Sequence, residues 1–169
     1  MRNALNTLYR GTEALGAICL AMVGVMILSQ IVGRQLGKQI PSADEMAGYF
    51  MAASGFLILG PALRDGVHIR VGLIIERVSG GPRRVMEIIC LAIGLSLAGF
   101  LAWYWARLTW DSYDLGEMSQ GLLAIPLWLP QAAMGFGLLV MVIALADELL
   151  RVIKGLEASY NTAGPASEG

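Results

Sequence analysis

Four long stretches of this chain carry no Asp, Glu, Lys, Arg or His, and they dictate what it can fold into. They run over 14–33, 46–63, 88–106 and 118–146, with lengths of 20, 18, 19 and 29 residues. An α-helix rises about 1.5 Å per residue and a bilayer's hydrocarbon core is about 30 Å thick, so a run of roughly 17 to 25 residues suffices to cross it. Each stretch meets that length. The last contains Pro126 and Pro130, which predicts a non-helical lead-in followed by a helix. The expected spans are therefore about 14–33, 46–63, 88–106 and 127–149. Composition agrees, at 56% hydrophobic and 15% charged residues, where soluble domains carry roughly 25% charge. The fold class that follows is all-α, a polytopic membrane protein with four transmembrane helices.

One membrane domain is expected over 1–156. The first uncharged run follows Arg2 and Arg10, as a secretory signal would. Its 20 residues exceed the roughly 7 to 15 of a cleavable apolar region, and no small-residue cleavage pattern closes it, so it reads as a retained helix. Residues 157–169, rich in Ala, Ser, Gly and Asn, read as a disordered cytoplasmic tail.

Twelve Lys and Arg face 13 Asp and Glu, a net charge of −1, which excludes a general nucleic-acid binder. The distribution of the basic residues is more telling. Nine of them, Arg2, Arg10, Arg64, Arg70, Arg77, Arg83, Arg84, Arg151 and Lys154, fall on one side of a four-span topology. Only Arg34, Lys38 and Arg107 fall on the other, so the positive-inside rule places both termini in the cytoplasm. Trp103, Tyr104, Trp105, Trp110, Tyr113 and Trp128 gather on the opposite side as an aromatic belt.

Between spans 2 and 3, Val67, Val71, Ile74, Ile75 and Val78 recur at helical spacing and leave His68, Arg70, Glu76 and Arg77 largely on other faces. This predicts a short interfacial helix over 67–78, ended by Ser79-Gly80-Gly81-Pro82 and attracted to an anionic leaflet by its arginines. A merely amphipathic connector is the alternative. His68 is the sole histidine and, with Arg64, Asp65 and Arg70, suits a structural tie at the end of span 2 better than a proton relay.

The centres of the spans hold little chemistry. Their deepest polar side chains are Ser29, Gln30, Ser54 and Ser96, each able to return a hydrogen bond to its own helix. Ion-coupled transporters place charged groups or broken helices near mid-membrane, and neither is evident. Cys19 and Cys90 lie inside apolar runs, away from any metal or disulfide spacing. No catalytic set, phosphate loop or haem-ligating pair of histidines is present, so no enzyme activity, cofactor or metal is expected. Small residues are frequent instead: Gly48 and Ala52, Gly94, Ala98 and Ala102, and Ala133 and Gly137 stand four apart, the spacing of close helix packing within the chain or against another protein. On the extracytoplasmic side Arg34 closes span 1 while Asp44 and Glu45 open span 2. Capping by Ser42 or Asp44 is one reading of this loop, and an Arg34–Glu45 pair is another. Asp111, Asp114 and Glu117 form either a solvated acidic face or part of a seat for a partner protein.

From Arg34 to about Leu150 the order of features resembles the small membrane subunit, of DctQ type, of tripartite ATP-independent periplasmic (TRAP) transporters. The resemblance is carried by Arg34, by Asp44-Glu45 with Tyr49, and by Phe56-Leu57-Ile58-Leu59-Gly60. It continues through Arg64-Asp65-Gly66-Val67-His68-Ile69-Arg70-Val71, Ser119 and Ile125-Pro126-Leu127-Trp128. Two positions depart from that pattern: Pro61 stands where the family usually has a small residue, and Gly72 where an Asp commonly follows.

The resemblance implies a subunit in the bacterial inner membrane. It pairs with a large permease holding the sodium and substrate sites, while a periplasmic solute-binding protein delivers an organic acid. Lipid and these two proteins are the expected partners. Arg34, Glu45, Arg64, His68, Arg70, Gly94, Ala98, Pro126 and Trp128 are the candidate structural and interface residues. Two alternatives remain at this stage, a small four-helix exporter and a membrane-complex assembly subunit.

Overall fold

The computed structural model describes residues 2–38, 40–65 and 81–155. The interfacial helix expected over 67–78, with His68 and Arg70, lies outside these residues, as do Gly72 and the tail. Four helices make up the fold: α1 (Arg2–Gln35), α2 (Ala43–Arg64), α3 (Gly81–Asp114) and α4 (Trp128–Ile153). Among the described residues the strand-like pairing is a single antiparallel bridge between Met118 and Pro126. Three stretches, Leu5–Gln35, Ala43–Arg64 and Arg84–Asp114, are long and apolar enough to cross a membrane.

Two helices outrun the uncharged stretches that announced them. α1 and α3 each have 34 residues, a length of about 51 Å. Charge limits which residues sit in hydrocarbon, but it does not stop a helix, because Arg, Glu and Leu are all good helix formers. Termination is instead local. Gly37 (φ 68) and Gly116 (φ 61) adopt the left-handed conformation just past α1 and α3. There Lys38 N–H donates to Gly33 O at 2.8 Å and Glu117 N–H to Ser112 O at 3.0 Å, closing both ends as Schellman turns. Pro130 falls in the first turn of α4, where its missing N–H costs no helical bond. Pro61 lies inside α2 near its end, and the helix continues through it to an Asp65 N–H to Pro61 O bond of 3.0 Å.

The helices form a row rather than a closed bundle. α1 packs on α2, α2 on α4, and α4 on α3, with a smaller contact between α1 and α4. The central pair approaches most closely. A Cβ added at Gly137 of α4 would overlap the Phe56 backbone, and one at Gly60 of α2 would come within 2.8 Å of Val140 Cγ1. Around this crossing, Val140, Ala144 and Tyr9 form one apolar cluster, joined by Leu5, Leu8 and Leu63, while Leu91, Leu145 and Val152 form a second. α1 and α3, at the edges, keep most of their apolar side chains exposed.

Polar groups along the helices are absorbed locally. Ser29 donates to Met26 O, Ser54 to Met51 O and Ser96 to Ala92 O, each at 2.8 Å. These are the self-directed bonds expected from the sequence. Trp105 donates its indole N–H to Gln131 O at 2.8 Å, tying α3 to the first turns of α4, and its ring lies 5.4 Å from that of Phe56. At the opposite end Arg84 Nε and Nη2 donate to Val152 O (3.1 Å) and Ile153 O (2.7 Å). The guanidinium thereby caps the last carbonyls of α4 from the start of α3, a favourable place for a cation.

Replacing Gly137 by Ala is expected to lower the stability of the detergent-solubilised chain by roughly 1–3 kcal/mol, because the methyl group meets α2 backbone that cannot give way. Gly99→Ala, with open space at its Cβ, should stay within about 0.5 kcal/mol. Thermal unfolding of the two variants side by side checks both.

Candidate functional site

The most elaborate polar construction lies where α3 ends, α4 begins and the α1–α2 loop turns. Residues 117–127 return on themselves as a short hairpin. Ser119 N–H donates to Ile125 O (2.8 Å) and Leu127 N–H to Glu117 O (3.0 Å), flanking the Met118–Pro126 bridge. The buried Ser119 side chain fills the turn, donating to Leu123 O at 3.1 Å and accepting from Ile125 N–H at 3.3 Å. At the base, buried Ser112 donates to Glu117 Oε2 at 2.7 Å. Trp128 sits edge-on to Tyr113, with ring centroids 5.7 Å apart, and Pro126 thus leads into a helix start held by aromatic contact.

The hairpin crosses to the start of α2. Leu123 N–H donates to Ser42 Oγ at 2.9 Å, linking positions 81 residues apart. Ser42 occupies the N-cap position of α2, but at φ 58 its side chain makes no capping bond. The capping expected of Ser42 is thus replaced by a tertiary hydrogen bond. Glu45 accepts from the Tyr49 hydroxyl at 2.8 Å through Oε1, while its Oε2 is buried without a hydrogen-bond partner. Arg34 and Glu45 border one cavity of about 340 Å³, together with Gln30, Ser42, Asp44 and Gly121. The two share that space, and the hydrogen bond Glu45 receives comes from Tyr49 rather than from Arg34.

The other candidates fall elsewhere. Arg64, at the last turn of α2, lies over the Tyr9 ring at 5.4 Å and borders a smaller polar cavity with Arg10, Glu13 and Asp65. Gly94 and Ala98 face inward. Leu145 of α4 lies 3.7 Å from where a Gly94 Cβ would be, and Ala98 packs on the Leu91–Leu145–Val152 cluster. Their small size serves the α3–α4 contact. Gly48 and Gly55 on α2, by contrast, have open space at their Cβ positions. Between α3 and α4 an apolar groove of about 490 Å³ is floored by Ala102, Ala106, Ala132 and Gly135 and rimmed by Trp110, Tyr113 and Trp128. Among the described residues no group of three or more His, Cys, Asp or Glu is placed to hold a metal ion.

A row of long apolar helices with a folded polar cap matches a known family. The model of the family described as "Tripartite ATP-independent periplasmic transporters, DctQ component" matches residues 22–155. The chain belongs to the DctQ family. It is also 28% identical over 136 residues to the ectoine TRAP transporter small permease protein TeaB of Halomonas elongata, covering 75% of this chain and 70% of that protein. This DctQ-family chain is therefore a multi-pass membrane component of a transporter class.

Sequence reasoning singled out Ser119, Pro126 and Trp128 of this family's pattern but not the hairpin that unites them. Gly121 and the Ser42–Leu123 bond were missed, since no periodicity links residues so far apart. Ser119→Ala removes two hydrogen bonds made by a buried hydroxyl and should destabilise the hairpin by roughly 1–2 kcal/mol. Amide exchange at Ile125 should quicken accordingly while that of α2 and α4 stays unchanged.

Proposed function

We propose that this chain is the small membrane subunit that scaffolds the large permease of a TRAP transporter in a bacterial inner membrane. On this reading the permease carries out sodium-coupled uptake of an organic acid handed over by a periplasmic binding protein. The observation that carries the proposal is the family match over 22–155, which takes in part of α1 and all of α2, α3 and α4. The relative's name makes ectoine the first cargo to test.

The same reading gives α4 as the fourth span. Its 26 residues reach about 39 Å, and Asp147, Glu148 and Arg151 are confined to its last two turns. With nine basic residues on one side and three on the other, both termini then lie in the cytoplasm and the 117–127 hairpin in the periplasm. The interfacial helix over 67–78, with His68 and Arg70, belongs to the cytoplasmic side and sets the depth of the subunit. Ser29, Ser54 and Ser96 bond to their own helix backbones, which supports a static partner and leaves ion and substrate handling to the permease. We assign the permease contact to the α2 face carrying Gly48, Met51 and Gly55. There the glycines are open and Met51 is 66% exposed, so another helix can approach the backbone.

Purifying the tagged chain from its native host in mild detergent, with mass spectrometry of what accompanies it, tests this directly. A large multi-spanning permease in near-equal amount is the expected result, and a chain recovered alone or as a homo-oligomer overturns the reading. Gly55→Leu should lower permease recovery tenfold or more, equivalent to about 1.4 kcal/mol of association, while leaving the chain itself folded.

A further inference from the structure

We infer that the 117–127 hairpin is a two-state strap across the end of the row. Closed, it rests on Glu45 and Ser42; open, it releases Glu45 from Tyr49 to Arg34. The closed state is the one observed. In it Gly121 lies so near Glu45 that an added Cβ would overlap Oε2 and would come within 2.8 Å of Ser42 Oγ. A side chain there would force the Glu45 carboxylate and the Ser42 hydroxyl to move.

The closed state carries two built-in costs. Glu45 Oε2 is buried without a hydrogen-bond partner, and an acceptor removed from water in this way disfavours the arrangement that buries it. Ser42, a residue with a Cβ, is held at φ 58, in the left-handed region that side chains disfavour. Against these costs, the strap tip is held to the start of α2 by the bond from Leu123 N–H to Ser42 Oγ. The outer part of the strap, Gly121 to Ala124, is exposed and buries little that opening would lose.

The base of the hairpin is built differently. Ser119 is 8% exposed and bonded to Ile125 and Leu123, and Glu117 is bonded to Ser112 and Leu127. The strap tip therefore opens while the base stays folded. The open state also has a partner ready for the carboxylate, because Arg34 borders the same cavity as Glu45 and is itself exposed. A charge-assisted Arg34–Glu45 bond repays the loss of the Tyr49 contact. The end of the row thus has two shapes, with a flat covered notch in one and an exposed Arg34–Glu45 pair in the other. This inference stands independently of the transporter assignment.

Residue-resolved hydrogen exchange on the full chain in detergent micelles tests it. The Leu123 amide should exchange at least about tenfold faster than the Ser119 amide, which marks a tip opening apart from its base. Gly121→Ala should abolish protection at Leu123 and leave Ser119 protected. Glu45→Ala removes the unpartnered carboxylate and Arg34→Gln removes its open-state partner, so each should slow Leu123 exchange severalfold. Equal rates at Leu123 and Ser119 overturn the two-state strap, as does an Arg34→Gln or Glu45→Ala chain whose Leu123 rate equals that of the parent. A merely structural role for Arg34 does not produce slower exchange at a residue of another loop.

Discussion

The close approach of α2 and α4 carries the rest of this structure. α1 packs chiefly on α2 and α3 on α4, so the crossing at Gly60 and Gly137 is the junction through which the edge helices are held together. In hydrocarbon, apolar side chains gain nothing from leaving lipid for another helix. Association depends on how closely backbones fit and on what hydrogen bonds form between them. Two glycines a few residues from the same contact, each facing the other helix, supply the fit. Phe56 and Trp105 then close over the notch, with Gly135 giving the Trp105 ring room against α4.

Hydrogen bonding between the helices is placed at the ends, where polar groups are affordable. At one end Arg84 reaches from α3 to the terminal carbonyls of α4, and Arg64 lies over Tyr9 where α1 meets α2. At the other the 117–127 hairpin joins the α3–α4 turn to the first residue before α2 through Ser42. Backbone groups left over by a helix end must find partners wherever water is scarce. The Schellman turns after α1 and α3 and the guanidinium beside α4 meet that demand with local and long-range means respectively.

These two means differ in how far the sequence discloses them. The four helices were legible because hydrocarbon tolerates no charge, and the uncharged runs fall inside α1, α2 and α3 and overlap α4. The helix ends were legible only in part. Arg34 and Glu45 fall within two residues of helix ends, but Glu13 and Arg107 mark only where charge begins, so α1 starts 12 residues before its uncharged run and α3 continues for eight residues beyond its own. Gly94 and Ala98 were visible as small residues, yet spacing alone does not say which helix they face, and here they face α4. Arg84 with Val152, and Ser42 with Leu123, join positions 68 and 81 residues apart, and no local pattern encodes such pairs. The family resemblance located Ser119, Pro126 and Trp128, but their common purpose in one hairpin emerged only from the fold.

A row of helices also restricts what the chain can contribute to transport. A path for a polar solute needs walls on all sides, or at least a cavity from which lipid is excluded, and a closed bundle supplies one along its axis. In the described row, α2 has neighbours on two sides and two broad faces left over, and α1 and α3 have still more of their surface free. The groove between α3 and α4 is lined mainly by alanines, a glycine and aromatic rings, and the hydroxyl of its Thr109 already donates to Trp105 O at 2.9 Å. The serines that reach into the helices spend their hydroxyls on their own backbones. Such a surface suits contact with lipid and with another protein's helices. On the proposed reading solute handling falls to another subunit, and the row offers that subunit apolar helix faces between polar caps at its two ends.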